Sequence, residues 1–170
     1  MKWAKLNNTI GYEEFISIDL QGFFNNWIED NLYLFDNNGP SRKFCVLDEC
    51  INFPHQIIKQ LRQQIIKLEK IKDWKPEPMF KDYIGINLKG GNIHLHQDTN
   101  DGKYIHTRYN LILSYPEKGG ESIYGDCINT LKERMIWKCV AGKMPHGSKE
   151  VLSQKPRTTL SLGFLINNNG

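Results

Sequence analysis

Beyond Pro78 the chain changes texture, and that change constrains the fold more than any other feature. Residues 80–88, 92–97, 103–115, 121–124, 134–140 and 157–166 are short runs rich in apolar and β-branched side chains. Turn chemistry separates them: Lys89-Gly90-Gly91, Asn100-Asp101-Gly102, Pro116 to Gly120, and Ala141-Gly142. No helical pattern lies between them. Several strands at short spacing without intervening helices predict an antiparallel sandwich or barrel.

The first half reads differently. From Asp19 to Leu34 the apolar residues Leu20, Phe23, Phe24, Trp27, Ile28 and Leu32 recur at steps of three and four, which predicts an amphipathic helix. Asn37-Asn38-Gly39-Pro40 is a turn, and Lys43 to Leu47 a short strand. Pro54 stands at a plausible first helical position, and a second helix is expected from there to about Lys72, its stripe formed by Ile57, Ile58, Leu61, Ile65, Ile66, Leu68 and Ile71. Trp74 to Pro78 closes the helical half. Helices first and strands afterwards give an α+β class, with helices packed on the outside of the sheet. The last residues, Asn167 to Gly170, are expected to fray.

Composition narrows the function. With 170 residues, 39% of them hydrophobic and 24% charged, the chain suits one globular domain with its own core. Residues 1–170 are read as that domain, 12–75 as mainly helical support and 80–166 as the strand core. No apolar run approaches the roughly 20 residues of a spanning helix. The basic start, Met1 to Asn8, has no apolar stretch behind it of the kind a secretory signal carries, so a cytoplasmic location is expected. The net charge of +3 is mild and scattered, which gives no reason to invoke a membrane surface and makes nucleic acid an unpromising partner. Cys45, Cys50, Cys127 and Cys139 form no C-x-x-C pair and lie at no zinc-finger spacing from histidine, so reduced structural thiols are expected. Gly90-Gly91 and Gly119-Gly120 are turns, since neither precedes a helix with a Lys-Ser/Thr pair, and a phosphate loop is excluded.

The histidines carry the chemical signal. Asn92 to Asp98 places His94, His96 and Asp98 on one face of a strand. Side chains two residues apart stand about 6–7 Å from each other at their bases and can lean onto one ion at a strand end; positions four apart are too distant. His96 and Asp98 are therefore the workable pair, and Thr99 to Gly102 lets Asp98 curl inward. His146 is the candidate third ligand downstream. Two imidazoles and a carboxylate on one side of an ion make the facial triad of non-haem iron(II), which leaves positions open for substrates. His94 and His106 are expected to be structural, Trp137 to belong to the core, and His55 has no assigned role. Eleven residues after His146, Arg157 opens the last strand, where alternation points Arg157, Thr159 and Ser161 one way and Leu160, Leu162 and Phe164 the other. A guanidinium on an interior face needs an anionic partner, and a carboxylate held by its fork meets that need.

In this combination the sequence resembles the iron(II)/2-oxoglutarate-dependent oxygenase superfamily, and most of all its small prolyl-hydroxylase-like branch. His96-Gln97-Asp98, His146 and Arg157-Thr158-Thr159 match the H-x-D, distal H and R-x-S/T elements in order. Tyr109 to Ser122 resembles the strand–turn–strand after the metal motif, and Asn87 to His96 the hairpin leading into it. The resemblance spans residues 80–166. It implies a distorted double-stranded β-helix, a jelly-roll or cupin-like barrel, in agreement with the α+β reading. It also implies that His96, Asp98 and His146 hold Fe(II), and that 2-oxoglutarate chelates the ion and pairs its far carboxylate with Arg157, helped by Thr159. With O2 as the other cosubstrate, a C–H bond of a peptide, a protein or a small amino-acid-like substrate would be hydroxylated, and succinate and CO2 released. Tyr83, Asn87, Arg108, Asn110 and Tyr115 are candidates for the pocket wall.

Other readings stay beside this one. The superfamily's nucleic-acid demethylases carry a second arginine shortly after the cosubstrate arginine, whereas Arg157 is the last in this chain. A cupin-like metal-binding module would keep the barrel without the reaction. An intact Asp98 argues against halogenation, since the family's halogenases leave that position open for halide.

Overall fold

A computed structural model describes residues 2–79 and 81–167. The predicted strand start at Phe80 and the tail residues 168–170 lie outside the described residues. In chain order the strands are β1 (Lys2–Leu6), β2 (Thr9–Glu13), β3 (Asp36–Asn37), β4 (Arg42–Val46), β5 (Trp74–Pro76), β6 (Asp82–Asn87), β7 (Ile93–His96), β8 (Tyr104–Ser114), β9 (Ser122–Tyr124), β10 (Cys127–Asn129), β11 (Ile136–Cys139), β12 (His146–Ser148) and β13 (Arg157–Asn167). Helix α1 (Ile18–Asp30) lies between β2 and β3, and α2 (His55–Glu69) between β4 and β5. The described strands form a large sheet in the order β1-β2-β11-β8-β13-β6-β4-β3, with β5 also on β13, and a small sheet in the order β10-β9-β12-β7. Every pairing in both sheets is antiparallel. This is the antiparallel architecture expected from the strand spacing, in the jelly-roll, double-stranded β-helix form that the resemblance implies.

Alternation assigns the two faces of the large sheet. Leu160, Leu162 and Phe164 of β13, Ile84 and Ile86 of β6, and Tyr109, Leu111 and Leu113 of β8 join one apolar cluster with Phe24, Trp27 and Ile28 of α1 and Ile58, Leu61 and Ile65 of α2. The helices thus cover the outer face. Arg157 and Thr159 of β13, Tyr83, Gly85 and Asn87 of β6, and Arg108 and Asn110 of β8 face the interior between the sheets. A second apolar cluster, including Ile112, Tyr124, Met135 and Trp137, closes one end of that interior.

Helix α1 starts where Ser17 accepts a hydrogen bond from the Leu20 amide at 3.1 Å. Pro54 caps α2 instead of opening it, and the helix stops at Glu69 because Lys70 turns left-handed at φ 52°. Other elements also differ from expectation. The N-terminal hairpin β1–β2, turned at Asn8 with φ 62°, precedes the helices and extends the large sheet through β2 on β11. Trp74–Pro76 does not merely end the helical half; it pairs with Phe164 to Ile166 of β13. Asn167 is the last residue of β13, and its side-chain amide donates to Asp73 at 2.7 Å. No helix of the described residues is long and apolar enough to cross a membrane.

Candidate active site

The interior between the sheets contains a cavity of about 520 Å³, within the range of small-molecule sites, roughly 300–1,000 Å³. At one end, β7 and β12 lie antiparallel with His96 opposite His146, their ring centroids 4.3 Å apart. Gly147 permits this approach, since a Cβ there would stand 2.5 Å from the Ile93 carbonyl oxygen. Asp98 lies two residues past β7, where its amide donates to the Ala141 carbonyl at 3.0 Å. One ligand atom each from His96, Asp98 and His146 fall within 4.8 Å of one another. Both imidazoles donate through Nδ1 to backbone carbonyls, His96 to His94 at 2.8 Å and His146 to Met144 at 3.3 Å, which leaves Nε2 as the lone-pair atom. Those Nε2 atoms lie 3.5 Å and 3.9 Å from the Asp98 carboxylate. Burial, and then the neighbouring His96, push the His146 imidazole below its ordinary range, keeping it neutral and able to donate its lone pair near neutral pH.

Asp98 is itself held from behind. Its Oδ2 lies 3.3 Å from His106 Nδ1 and 3.8 Å from Arg108 Nε, while Oδ1 is the oxygen nearest His96. The Arg108 guanidinium pairs with Glu77 at 2.8 Å and donates to the Lys81 carbonyl at 3.1 Å; Glu77 also accepts from the amides of Met79 and Lys81. Gly163 makes room for it, since a Cβ there would stand 3.2 Å from the guanidinium. His106, expected to be only structural, therefore contacts the carboxylate of the cluster, and burial holds its imidazole below the usual range. Neither His106 nor Glu77 announces this in sequence. His106 becomes visible only when β8 is in register, and Glu77 lies in a polar, proline-flanked segment that reads as a loop.

The other end of the cavity presents Arg157 and Thr159. Arg157 is 4% exposed, and its guanidinium donates to Ser122 Oγ at 2.9 Å. Its Nε and the Thr159 hydroxyl are buried without a hydrogen-bond partner among the described residues. Burial lowers the affinity of this guanidinium for its proton, which states the cost of its position. Tyr83, Asn87, Arg108 and Asn110 are among the residues that line the cavity. Tyr115 does not: β8 ends one residue before it, and its ring packs against the second apolar cluster. Trp137, expected in the core, is buried and also forms part of the cavity wall.

The donor set and the orphaned polar atoms fit a divalent ion with an anionic ligand. Two imidazoles and a carboxylate suit a first-row metal. The unmatched Arg157 and Thr159 donors suit a carboxylate in the same cavity.

No protein-family model matches this chain, and no curated protein matches it by sequence. Solved structures do match in fold. The viral collagen prolyl hydroxylase of Paramecium Bursaria Chlorella virus-1, in complex with 2OG, superposes with a TM-score of 0.69 at 15% identity, covering 94% of this chain and 97% of that one. HygX from Streptomyces hygroscopicus, with nickel, 2-oxoglutarate and hygromycin B bound, gives a TM-score of 0.72 at 11% identity over 94% of this chain and 83% of that one. A prolyl hydroxylase from Trichoplax adhaerens, in complex with a hypoxia inducible factor peptide fragment, gives 0.65 at 13% identity over 96% and 85%. The chain has the double-stranded β-helix fold of the iron(II)/2-oxoglutarate oxygenases. The likeness is one of fold, and it extends to prolyl hydroxylases and to HygX alike.

Proposed function

We propose that the chain is an Fe(II)- and 2-oxoglutarate-dependent dioxygenase that hydroxylates a C–H bond of a peptidyl or small amino-acid-like substrate. The observation that supports this most is the meeting, in one cavity, of the His96–Asp98–His146 cluster and a buried arginine with unmatched donors. His96, Asp98 and His146 would hold the iron, and Arg157 with Thr159 would hold the distal carboxylate of 2-oxoglutarate. The bound metal with 2-oxoglutarate and O2 supplies the oxidising chemistry, with succinate and CO2 as co-products. The chain's own residues do the rest. His106 and Arg108 hold Oδ2 of Asp98, which leaves Oδ1 toward His96. The backbone carbonyls of His94 and Met144 fix the imidazole tautomers. Ser122 steadies the Arg157 fork, and the aromatic walls formed by Tyr83, Phe44 and Trp137 limit access of water.

The test is a titration of 2-oxoglutarate into anaerobic Fe(II)-loaded protein, followed by the charge-transfer absorption that chelation produces. Succinate formation is then assayed with candidate substrates. His96→Ala with His146→Ala should abolish both the absorption and metal retention. Undiminished metal occupancy in that double variant, or an absent absorption in the parent, would overturn the assignment.

A further inference from the structure

A second arginine faces the same cavity. Arg42 opens β4 beside the turn at residues 38–41, and the sheet register puts it directly in line with Asn87 and then Arg157. The three side chains thus form one row on the inner face of the large sheet, with Asn87 between the two guanidinium groups. Arg42 Nε is buried without a hydrogen-bond partner, and no carboxylate of the described residues pairs with this side chain. Arg42 also lies near enough to Arg157 to add, after burial, to the pressure on that guanidinium.

Charge decides what Arg42 is for. Arg108 is already matched by Glu77. In the oxygenase reading, a divalent ion, Asp98, the two carboxylates of 2-oxoglutarate and Arg157 together carry no net charge. Arg42, half-buried, forms no ion pair with a carboxylate of the described residues, since Asp36, the acid nearest it along the cavity wall, is exposed and does not pair with it; holding its charge there without a partner has a cost. An anionic group on the substrate removes that cost. The same end of the cavity is bordered by Asp36, Asn37 and Asn38. A negative Asp36 disfavours a dianionic phosphate, whereas the guanidinium fork matches a singly charged carboxylate. Asp36 in turn suits an ammonium group.

We propose that Arg42 is a substrate-binding residue that receives a carboxylate, and that the compound oxidised in this cavity is a free amino acid, its ammonium directed to Asp36. This rests on the oxygenase reading and narrows it from peptidyl or free substrates to free ones.

The chain has five arginines, so their side-chain Nε–H signals can be resolved by NMR in protein labelled with 15N-arginine and assigned from single Arg→Lys variants. Zn(II) replaces Fe(II) to keep the protein diamagnetic and inert. With 2-oxoglutarate added, the Arg157 signal should move. The probes added next are the twenty L-amino acids, in pools, and then the matching amino-acid amides. The Arg42 signal should move with the acids and not with the amides. Arg42→Gln should weaken binding of the acids about tenfold or more, the scale of a lost charge-assisted hydrogen bond, read from the Trp137 indole signal in the same cavity. Arg42→Lys should recover part of this, while half-saturation by 2-oxoglutarate stays where it was. Three results overturn the proposal: an Arg42 signal that saturates with 2-oxoglutarate and answers no acid, an equal response to amides, or no response to any pool. A silent Arg157 signal under 2-oxoglutarate instead removes the oxygenase reading, and the Arg42 response remains readable on its own.

Discussion

Replacing Arg157 by methionine separates a guanidinium kept for a ligand from one kept for the fold. The side chain is 4% exposed, its protein partner is Ser122 Oγ at 2.9 Å, and Nε is unmatched. Removing one member of a buried ion pair costs about 3–5 kcal/mol, because the other charge is stranded. Here no carboxylate is stranded; the loss is one hydrogen bond from a hydroxyl, about 1 kcal/mol. Against it, methionine removes a buried charge whose desolvation disfavours the folded protein. Without ligand, Arg157→Met should therefore melt at or above the parent temperature. With ligand the order reverses. A ligand at one hundred times its Kd adds about 2.7 kcal/mol. At about 2–4 °C per kcal/mol for a domain of this size, the Mn(II)-loaded parent should gain roughly 5–11 °C from 2-oxoglutarate. Losing 3–5 kcal/mol of charge pairing weakens binding by about a hundredfold or more, so Arg157→Met should gain almost nothing. Arg157→Lys, which keeps the charge and loses the fork, should fall between. Scanning fluorimetry with and without 2-oxoglutarate reads all of this. If the ligand-free methionine variant melts about 6–20 °C below the parent, the drop expected of a broken structural ion pair, the reasoning is refuted.

Two further outcomes concern groups around the site and the sheet. Glu77→Gln should lower stability by about 3–5 kcal/mol, because it leaves the Arg108 guanidinium buried without its carboxylate; chemical denaturation checks this, and an unchanged midpoint contradicts it. Tyr12 donates to Glu69 at 2.6 Å, and burial and then that bond raise its pKa from 10.0 to about 12. The folded state favours the neutral phenol, so this contribution is complete below pH 10 and is lost as pH rises from 10 to about 12. Melting temperatures across that window should fall less steeply in Tyr12→Phe than in the parent, and parallel curves would contradict the assignment.

The elements legible in the sequence are those governed by short-range rules. The strand runs beyond Pro78 are bounded by glycine turns, and alternation along β13 sorts Arg157 and Thr159 from Leu160, Leu162 and Phe164 without knowledge of any partner. His96 and Asp98 are separated by one residue, so they stay close in space even though β7 ends at His96 and Asp98 lies past it. His146 could be chosen because only five histidines compete and one of them stands alone downstream. The hairpin β1–β2 escaped because its strands are short and its pairing is settled by β11, more than a hundred residues away. Lys75 and Leu165 likewise become neighbours only through β13.

The charge network shows most clearly what pattern cannot reach. Glu77 sits between Lys75-Pro76 and Pro78-Met79, a stretch whose composition reads as surface loop, yet it is 2% exposed because Arg108 and two backbone amides converge on it. Nothing local to Glu77 encodes that convergence; it follows from β5 and β6 sharing one edge of β13. Arg42 makes the same point in the opposite sense. Along its own strand it looks like one more basic residue at the end of a polar turn. Only the register through Asn87 to Arg157 turns it inward, where, unlike Arg108 with Glu77, it forms no ion pair with a carboxylate of the described residues. In the proposed reading, the buried acid behind Arg108 thereby bears on substrate choice. By neutralising one arginine of the cavity it leaves another for the substrate.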